Sequence, residues 1–283
     1  MTKPFDQYNV NPNEFITPST PIAAYILGLL WADGYVKNNS RKSVIALTTT
    51  YPDANIFIPI FLKTGTWRIY SRTNKNHPSW RRRCEIKTNN RPIADFLVQQ
   101  DYESKSIESA DKILSTIPSN LQHYWFRGFL DGDGHIHTDT MGTHNISFSG
   151  PHNQKWNFME KLCNKLNLEY SIHQQKSQRG HQSSKFCVYG MYKVIKLCKY
   201  IYQDYTKDAI GLSRKHNIFL NLMATEEKNR YRGVSQLKNG KWRAYTSCAG
   251  GGKWKSLGVY TEKEKALEMV EHFYSNHPKC FLT

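Results

Sequence analysis

No stretch of this chain is long and apolar enough to cross a bilayer, which excludes a helical membrane protein. The opening Met1-Thr-Lys-Pro-Phe-Asp lacks the apolar core of a secretory signal. The expected location is therefore intracellular, in the cytoplasm. The six cysteines (Cys84, Cys163, Cys187, Cys198, Cys248, Cys280) form no CxxC pair. That spacing argues against a zinc site and for free thiols in a reducing compartment. Acidic side chains are also scarce: 23 Asp and Glu stand against 39 Lys and Arg, a formal net charge of +16 over 283 residues. Such a length holds one large domain or two smaller ones with ample core. The charge predicts a polyanionic partner, with nucleic acid ahead of an anionic membrane.

What the chain does contain is one short pattern twice. Tyr25-Ile-Leu-Gly-Leu-Leu-Trp-Ala-Asp-Gly34 returns 100 residues later as Trp125-Phe-Arg-Gly-Phe-Leu-Asp-Gly-Asp-Gly134. Each copy places Gly five positions before an Asp and another Gly directly after it. Ala24, Gly28 and Ala32 are four apart and share one helix face, as do Gly128 and Gly132. Small residues at that spacing let two backbones approach closely. If the faces pack, Asp33 and Asp133 meet at adjacent helix C-termini, which are already slightly negative. Two carboxylates there repel unless a cation sits between them. A divalent metal answers that conflict, and oxygen ligands favour Mg²⁺. A single Asp-Gly after a helix is usually a turn. Two copies, each opening the same order of elements, point to a site.

That order is a helix, a strand-forming stretch, a second helix, two strands and a third helix. Pro21 suits a first helical turn capped by Thr20, and the apolar run 22–32 reads as a buried helix. Strands are expected near 44–50, 66–72 and 80–88, with helices over 53–63 and from Ile93. The second copy runs helix 121–133, strands near 134–138 and 144–149, helix 153–167, strands near 170–176 and 185–190, and helix 191–203. Residues 1–20 form an extension, 21–100 the first half, 101–120 a linker and 121–228 the second half with a tail containing helix 213–223. From Lys228 onward 11 Lys and Arg face 4 Glu. Residues 229–283 read as a separate small domain: a strand at 231–236, the hairpin turn Asn239-Gly240, strands at 241–246 and 254–257, and a helix capped by Thr261 and Glu264.

The paired segments resemble the motifs of LAGLIDADG homing endonucleases in their single-chain, two-motif form, over about residues 20–225. The resemblance implies an α+β fold: a pseudo-twofold pair of αββαββα halves, with two four-stranded sheets forming a saddle over the DNA major groove. It implies metal-binding catalytic acids at Asp33 and Asp133, with the carbonyls of Ala32 and Gly132 completing the metal shell. The cofactor is then Mg²⁺, with Mn²⁺ as substitute. The earlier acid of the motif is Asp131 in the second copy and Trp31 in the first, a position expected to be structural. The family also places a lysine at the end of a fourth strand, which matches Lys87; the alternative is an ordinary exposed lysine. The second half offers only Lys185, a poorer counterpart, so the two active sites are expected to be unequal.

Strand alternation assigns the reading surface. Lys37, Thr48, Arg68, Tyr70, Arg72, Arg81 and Arg83 fall outward in the first half, with Trp67, Ile69, Cys84 and Ile86 inward. His135, His137, Asn145, Ser147, His173, Gln175 and Lys185 fall outward in the second. These residue types suit base edges and phosphates, although solvated strand faces carry them too. His135 and His137 flank Asp133 but have no counterpart after Asp33, so they read as groove residues rather than metal ligands.

Residues 229–278 resemble the AP2 DNA-binding domain through Tyr231-Arg-Gly-Val, Gly240-Lys-Trp-Arg-Ala-Tyr245 and Leu257-Gly-Val-Tyr-Thr-Glu262. Arg232, Gln236, Lys238, Trp242 and Arg243 are its candidate contacts, with Trp242 equally suited to the core. The expected protein is a monomeric, site-specific double-strand DNA endonuclease leaving 3′ overhangs. No splice-junction residues frame it, which favours an intron-encoded or free-standing gene over an intein. The alternative is a non-cleaving binder on the same scaffold, an RNA maturase or a transcriptional regulator.

Overall fold

The computed structural model describes residues 10–72, 83–138, 143–176, 180, 182–230, 233–247 and 254–276. Arg81 and Arg232 lie outside these, and of Arg72 only the backbone is described. Two compact units divide the chain, one within 1–189 and 193–217, the other within 190–192 and 218–283.

The first unit holds the duplication. Its first half runs α1 (Asn13–Ile16), α2 (Pro21–Asp33), β1 (Gly34–Asn38), β2 (Ser43–Thr50), α3 (Tyr51–Leu62), β3 (Arg68–Arg72), β4 (Arg83–Thr88) and α4 (Arg91–Gln99). After the short α5 (Asp111–Thr116) the order returns as α6 (Gln122–Asp133), β5 (Gly134–Thr138), β6 (His144–Pro151), α7 (Asn157–Lys165), β7 (Ser171–Lys176), β8 (Gln182–Tyr189) and α8 (Met191–Ile201), then α9 (Tyr205–Asp208) and α10 (Ser213–Arg230). Both sheets are antiparallel with the same strand order, β1-β2-β4-β3 and β5-β6-β8-β7.

Local chemistry sets the element ends. Thr20 Oγ1 accepts from the Ala23 amide at 3.2 Å with Pro21 at the first turn, as expected of that pair. Asn90 caps α4 in the same way. Helix α2 is buried from Ala23 to Trp31, which is why its sequence shows an unbroken apolar run instead of a stripe. Helix α3 starts at Tyr51, two residues before the expected start, because Pro52 fits its first turn. The expected 153–167 helix shortens to α7, and the tail helix runs on to Arg230.

The two motif helices cross at their glycines. A methyl on Gly28 would lie 1.9 Å from the Trp125 carbonyl oxygen, and one on Gly128 2.1 Å from that of Tyr25. The backbones therefore touch, with no room for any side chain. Trp31 packs edge-on against Tyr102 at 5.1 Å. Asp131 is buried and accepts from Tyr25 Oη and from the Leu212 amide, both at 2.8 Å. The structural role expected of that position is what these bonds describe.

Beside it, Arg127 is fully buried. It donates to the carbonyls of Ile201 (3.1 Å) and Ile210 (3.0 Å) and to Asp208 (3.3 Å), under the Tyr124 and Tyr205 rings. Arg127→Leu strands those acceptors and should cost about 3 kcal/mol. Urea unfolding measures this, and a loss below about 1 kcal/mol would mean the network contributes little.

Ile69 faces inward as expected, paired with the buried Ile86, yet it is 41% exposed, as is its counterpart Ile172 at 40%. Both sit on edge strands, which have a neighbour on one side only. Trp67, Cys84 and Ile86 are buried as expected.

The second unit contains β9 (Val234–Gln236), β10 (Trp242–Ser247), β11 (Trp254–Tyr260) and α11 (Lys263–Asn276), in sheet order β11-β10-β9. Gly240 has φ 79° in the hairpin turn, the conformation expected of Asn239-Gly240. Ala244, Ala266 and Val270 form the core, with Trp242 packed against it. Trp242 is half-buried on that side of the sheet.

Candidate active site at the helix seam

Because α2 and α6 touch along their glycines, their C-terminal ends are held side by side. A methyl on Gly132 would lie 2.3 Å from Ala32 Cβ and 3.2 Å from Asp33 Oδ2. Asp33 and Asp133 thus stand at one place, as the spacing predicted. Asp33 is the more solvent-exposed of the two and Asp133 is half-buried. Burial, then the neighbouring Asp33 charge, push the Asp133 carboxyl up to about 7. Burial also raises Asp33, with Asp53 adding to it and Lys105 and Lys215 opposing. Since Asp33 meets more solvent, water screens its rise more strongly.

Those two lysines were not found by sequence reasoning. Lys105 Nζ donates to the carbonyls of Leu30 (3.0 Å) and Ala32 (2.7 Å). Lys215 Nζ donates to Leu130 (2.6 Å), Asp131 (3.0 Å) and Gly134 (2.7 Å). Each ammonium therefore binds carbonyls around the C-terminal end of one motif helix, where backbone acceptors are left without intrahelical partners. Burial lowers Lys105 to about 8, against the pull of Asp133 and Asp33. Burial lowers Lys215 as well. Arg214 grips Asp53 with two nitrogens, at 3.2 and 3.0 Å. The sequence signal for the lysines is faint: each follows the last helix of its half, but their separation (105 to 215) breaks the 100-residue spacing of the aspartates (33 to 133).

Lys87 is half-exposed and lies in the row that begins at Tyr35, two residues after Asp33. It lies on β4, two strands away from β1, paired with Ala46 and Arg68. Register from Gly34 and Gly134 makes the buried Cys187 its counterpart, and matches Lys185 to Glu85. Among the outward candidates, Lys37, Thr48, Tyr70, Arg83, His135, His137, His173 and Gln175 are exposed, and Arg68, Asn145 and Lys185 half-exposed. Ser147 is the exception at 1% exposure. It sits on a central strand between His135 and Cys187, flanked on both sides. In the second unit Gln236, Lys238 and Arg243 are exposed.

The donor set suits a hard divalent cation. Two carboxylates that repel each other, with oxygens as the nearest acceptors, match Mg²⁺ bound by one or two carboxylates plus substrate phosphate. Among the described residues no group of three or more His, Cys, Asp or Glu gathers for a metal, at the seam or away from it, so the protein side of such a site rests on the two carboxylates and backbone oxygens.

Linkage gives the sign of one prediction for the metal-free chain. Asp133 holds its proton up to about pH 7 when folded, against an ordinary 3.8. Folding takes up a proton between those values, so stability falls as pH rises through that window. Asp133→Asn removes this penalty. The variant should gain stability over the parent at about pH 8 and gain little at about pH 4. Equal gains at both values in urea unfolding would contradict the raised proton affinity.

No family model matches the chain. An uncharacterized protein of Methanocaldococcus jannaschii is 27% identical over 176 residues, covering 60% of this chain and 61% of that protein. The chain thus spans less than two thirds of that relative's length. Among solved structures, the homing endonuclease I-WcaI bound to its DNA recognition sequence aligns at TM-score 0.46 and 16% identity, over 68% of this chain and 84% of that one. Mesophilic variants of the homing endonuclease I-DmoI align at 0.44 and 15%, over 65% and 96%. The N-terminal LAGLIDADG domain of WhiA aligns at 0.37 and 12%, over 71% and 94%.

Proposed function

We propose that this chain is a site-specific, divalent-metal-dependent endonuclease of double-stranded DNA. The observation that carries the reading is the convergence of Asp33 and Asp133 at the seam, between two antiparallel sheets whose outward faces carry base-reading and phosphate-holding side chains. Asp33 and Asp133 would hold Mg²⁺ or Mn²⁺. Lys105 already binds the Ala32 carbonyl, so we assign the backbone share of the shell to Gly132. A metal bound there activates water and stabilises the departing oxygen of a phosphodiester. Lys105 and Lys215 hold positive charge beside the same point, where the phosphate charge grows during the reaction. Lys87 remains a contact on the sheet face rather than a catalytic group.

The protein acts as a monomer, its two halves supplying what a twofold dimer would. Residues 21–100 and 121–228 form the nuclease halves, and the basic 229–283 module, AP2-like in sequence, lengthens the recognised site. An intron-encoded or free-standing gene suits this layout. No helix among the described residues is long and apolar enough to cross a membrane.

A second reading has its own support. The two ammonium groups and the raised proton affinity of Asp133 partly offset the charge of the carboxylate pair without any metal. A non-cleaving nucleic-acid binder, a maturase or a regulator, would keep that arrangement. Plasmid DNA carrying a selected target separates the two. Linear product in Mg²⁺ that EDTA abolishes is expected; tight binding with no nick in Mg²⁺ or Mn²⁺ would establish the binder instead.

A further inference from the structure

The two outward faces, matched row by row through their registers, differ in chemistry. The row beside the motif aspartates reads Tyr35, Ala46, Lys87, Arg68 in the first sheet and His135, Ser147, Cys187, Ser171 in the second. Lys37 in the first sheet corresponds to His137, in a row with Asn145 and Tyr189. Arg83 corresponds to Ser183, beside Gln175. Only the Glu85 row runs the other way, with Lys185 opposite. Among the described residues, the first face thus presents Lys37, Arg68, Arg83 and Lys87 against one carboxylate, and the second a single cation among imidazoles, hydroxyls and amides.

Arginine pairs two donors with guanine O6 and N7, whereas Asn and Gln pair a donor and an acceptor with adenine N6 and N7. Cations on phosphates release counterions, so their binding weakens with salt; neutral hydrogen bonds carry no such term. We propose that the chain reads a chemically lopsided target: a guanine-bearing half-site clamped by charge under the β1–β4 sheet, and an adenine-bearing half-site read by neutral hydrogen bonds under the β5–β8 sheet. The proposal rests on the DNA reading above and divides the recognised sequence between the halves.

The test is selection of bound duplexes by the full chain from a randomised library without metal, repeated with Arg83→Gln and Gln175→Ala. Both positions are exposed, and circular dichroism checks that both variants fold. The parent should enrich a non-palindromic site. Arg83→Gln should relax guanine preference on one half-site only and reduce the salt slope, on a log–log plot, by about 1. Gln175→Ala should relax adenine preference on the opposite half-site and leave the salt slope unchanged. A palindromic site, or both variants acting on the same half-site, overturns the proposal while leaving DNA binding intact. Enrichment of no duplex overturns the DNA reading itself, and this proposal with it.

Discussion

Asp33→Asn and Asp133→Asn should each yield a folded protein that binds duplex DNA and fails to cut it. The substitution keeps the shape of the side chain and removes one charge from a pair held together by the glycine seam. A metal that polarises a phosphate and its attacking water supplies several kcal/mol, so losing a carboxylate ligand should slow cleavage by about 10³-fold or more. Binding should hold or tighten, because a negative charge next to the phosphates is gone. Single-turnover cleavage in Mg²⁺, run beside a gel-shift titration, measures both. A variant that still cuts within about tenfold of the parent would place the chemistry elsewhere. Loss of binding and cutting together would instead mark the aspartates as structural. Asp133→Asn carries the added signature of higher stability near pH 8, which separates lost chemistry from lost folding.

Gly28→Ala should be the most destabilising small substitution in the chain. The new methyl would sit 1.9 Å from a backbone oxygen of the partner helix, and backbone cannot rotate away as a side chain can. Relief requires the helices to part along a seam packed with buried aromatic and aliphatic side chains, Trp31 against Trp125 among them. The expected cost exceeds about 4 kcal/mol, in the range reserved for a few named mechanisms and a large share of the 5–15 kcal/mol typical of a whole domain. Gly128→Ala should behave alike, at 2.1 Å from the Tyr25 oxygen. Since both act on one seam, the double variant should cost less than the two losses combined. Urea unfolding decides it; a shift below about 1 kcal/mol for either would mean the backbones are not in contact.

Much of this architecture was readable in advance, for identifiable reasons. The motif helices announced themselves because small residues recur at the helical period and because the pattern occurs twice. The strand faces followed from alternation, which held for Cys84, Ile86 and Ile69, although Ile69 is left partly exposed on an edge strand. Ser147 was read as outward and does face outward, yet it is hidden, because exposure on a central strand depends on neighbours that no single strand encodes. Trp242 could be placed on β10 but not on a side until α11 was seen to pack there.

The site shows the same division. Asp33 and Asp133 were legible because each ends a periodic segment. Lys105 and Lys215 were not, because no local pattern marks a side chain that reaches a helix end from another part of the chain, and the lysine implied by the resemblance was Lys87. Local sequence determined the elements, the duplication and the charge, since these depend on neighbours along the chain. Only the tertiary structure decided which cations meet the carboxylates and which surface residues are covered, because those contacts join residues distant along the chain, and the ones at the carboxylates follow from packing two helices at their glycines.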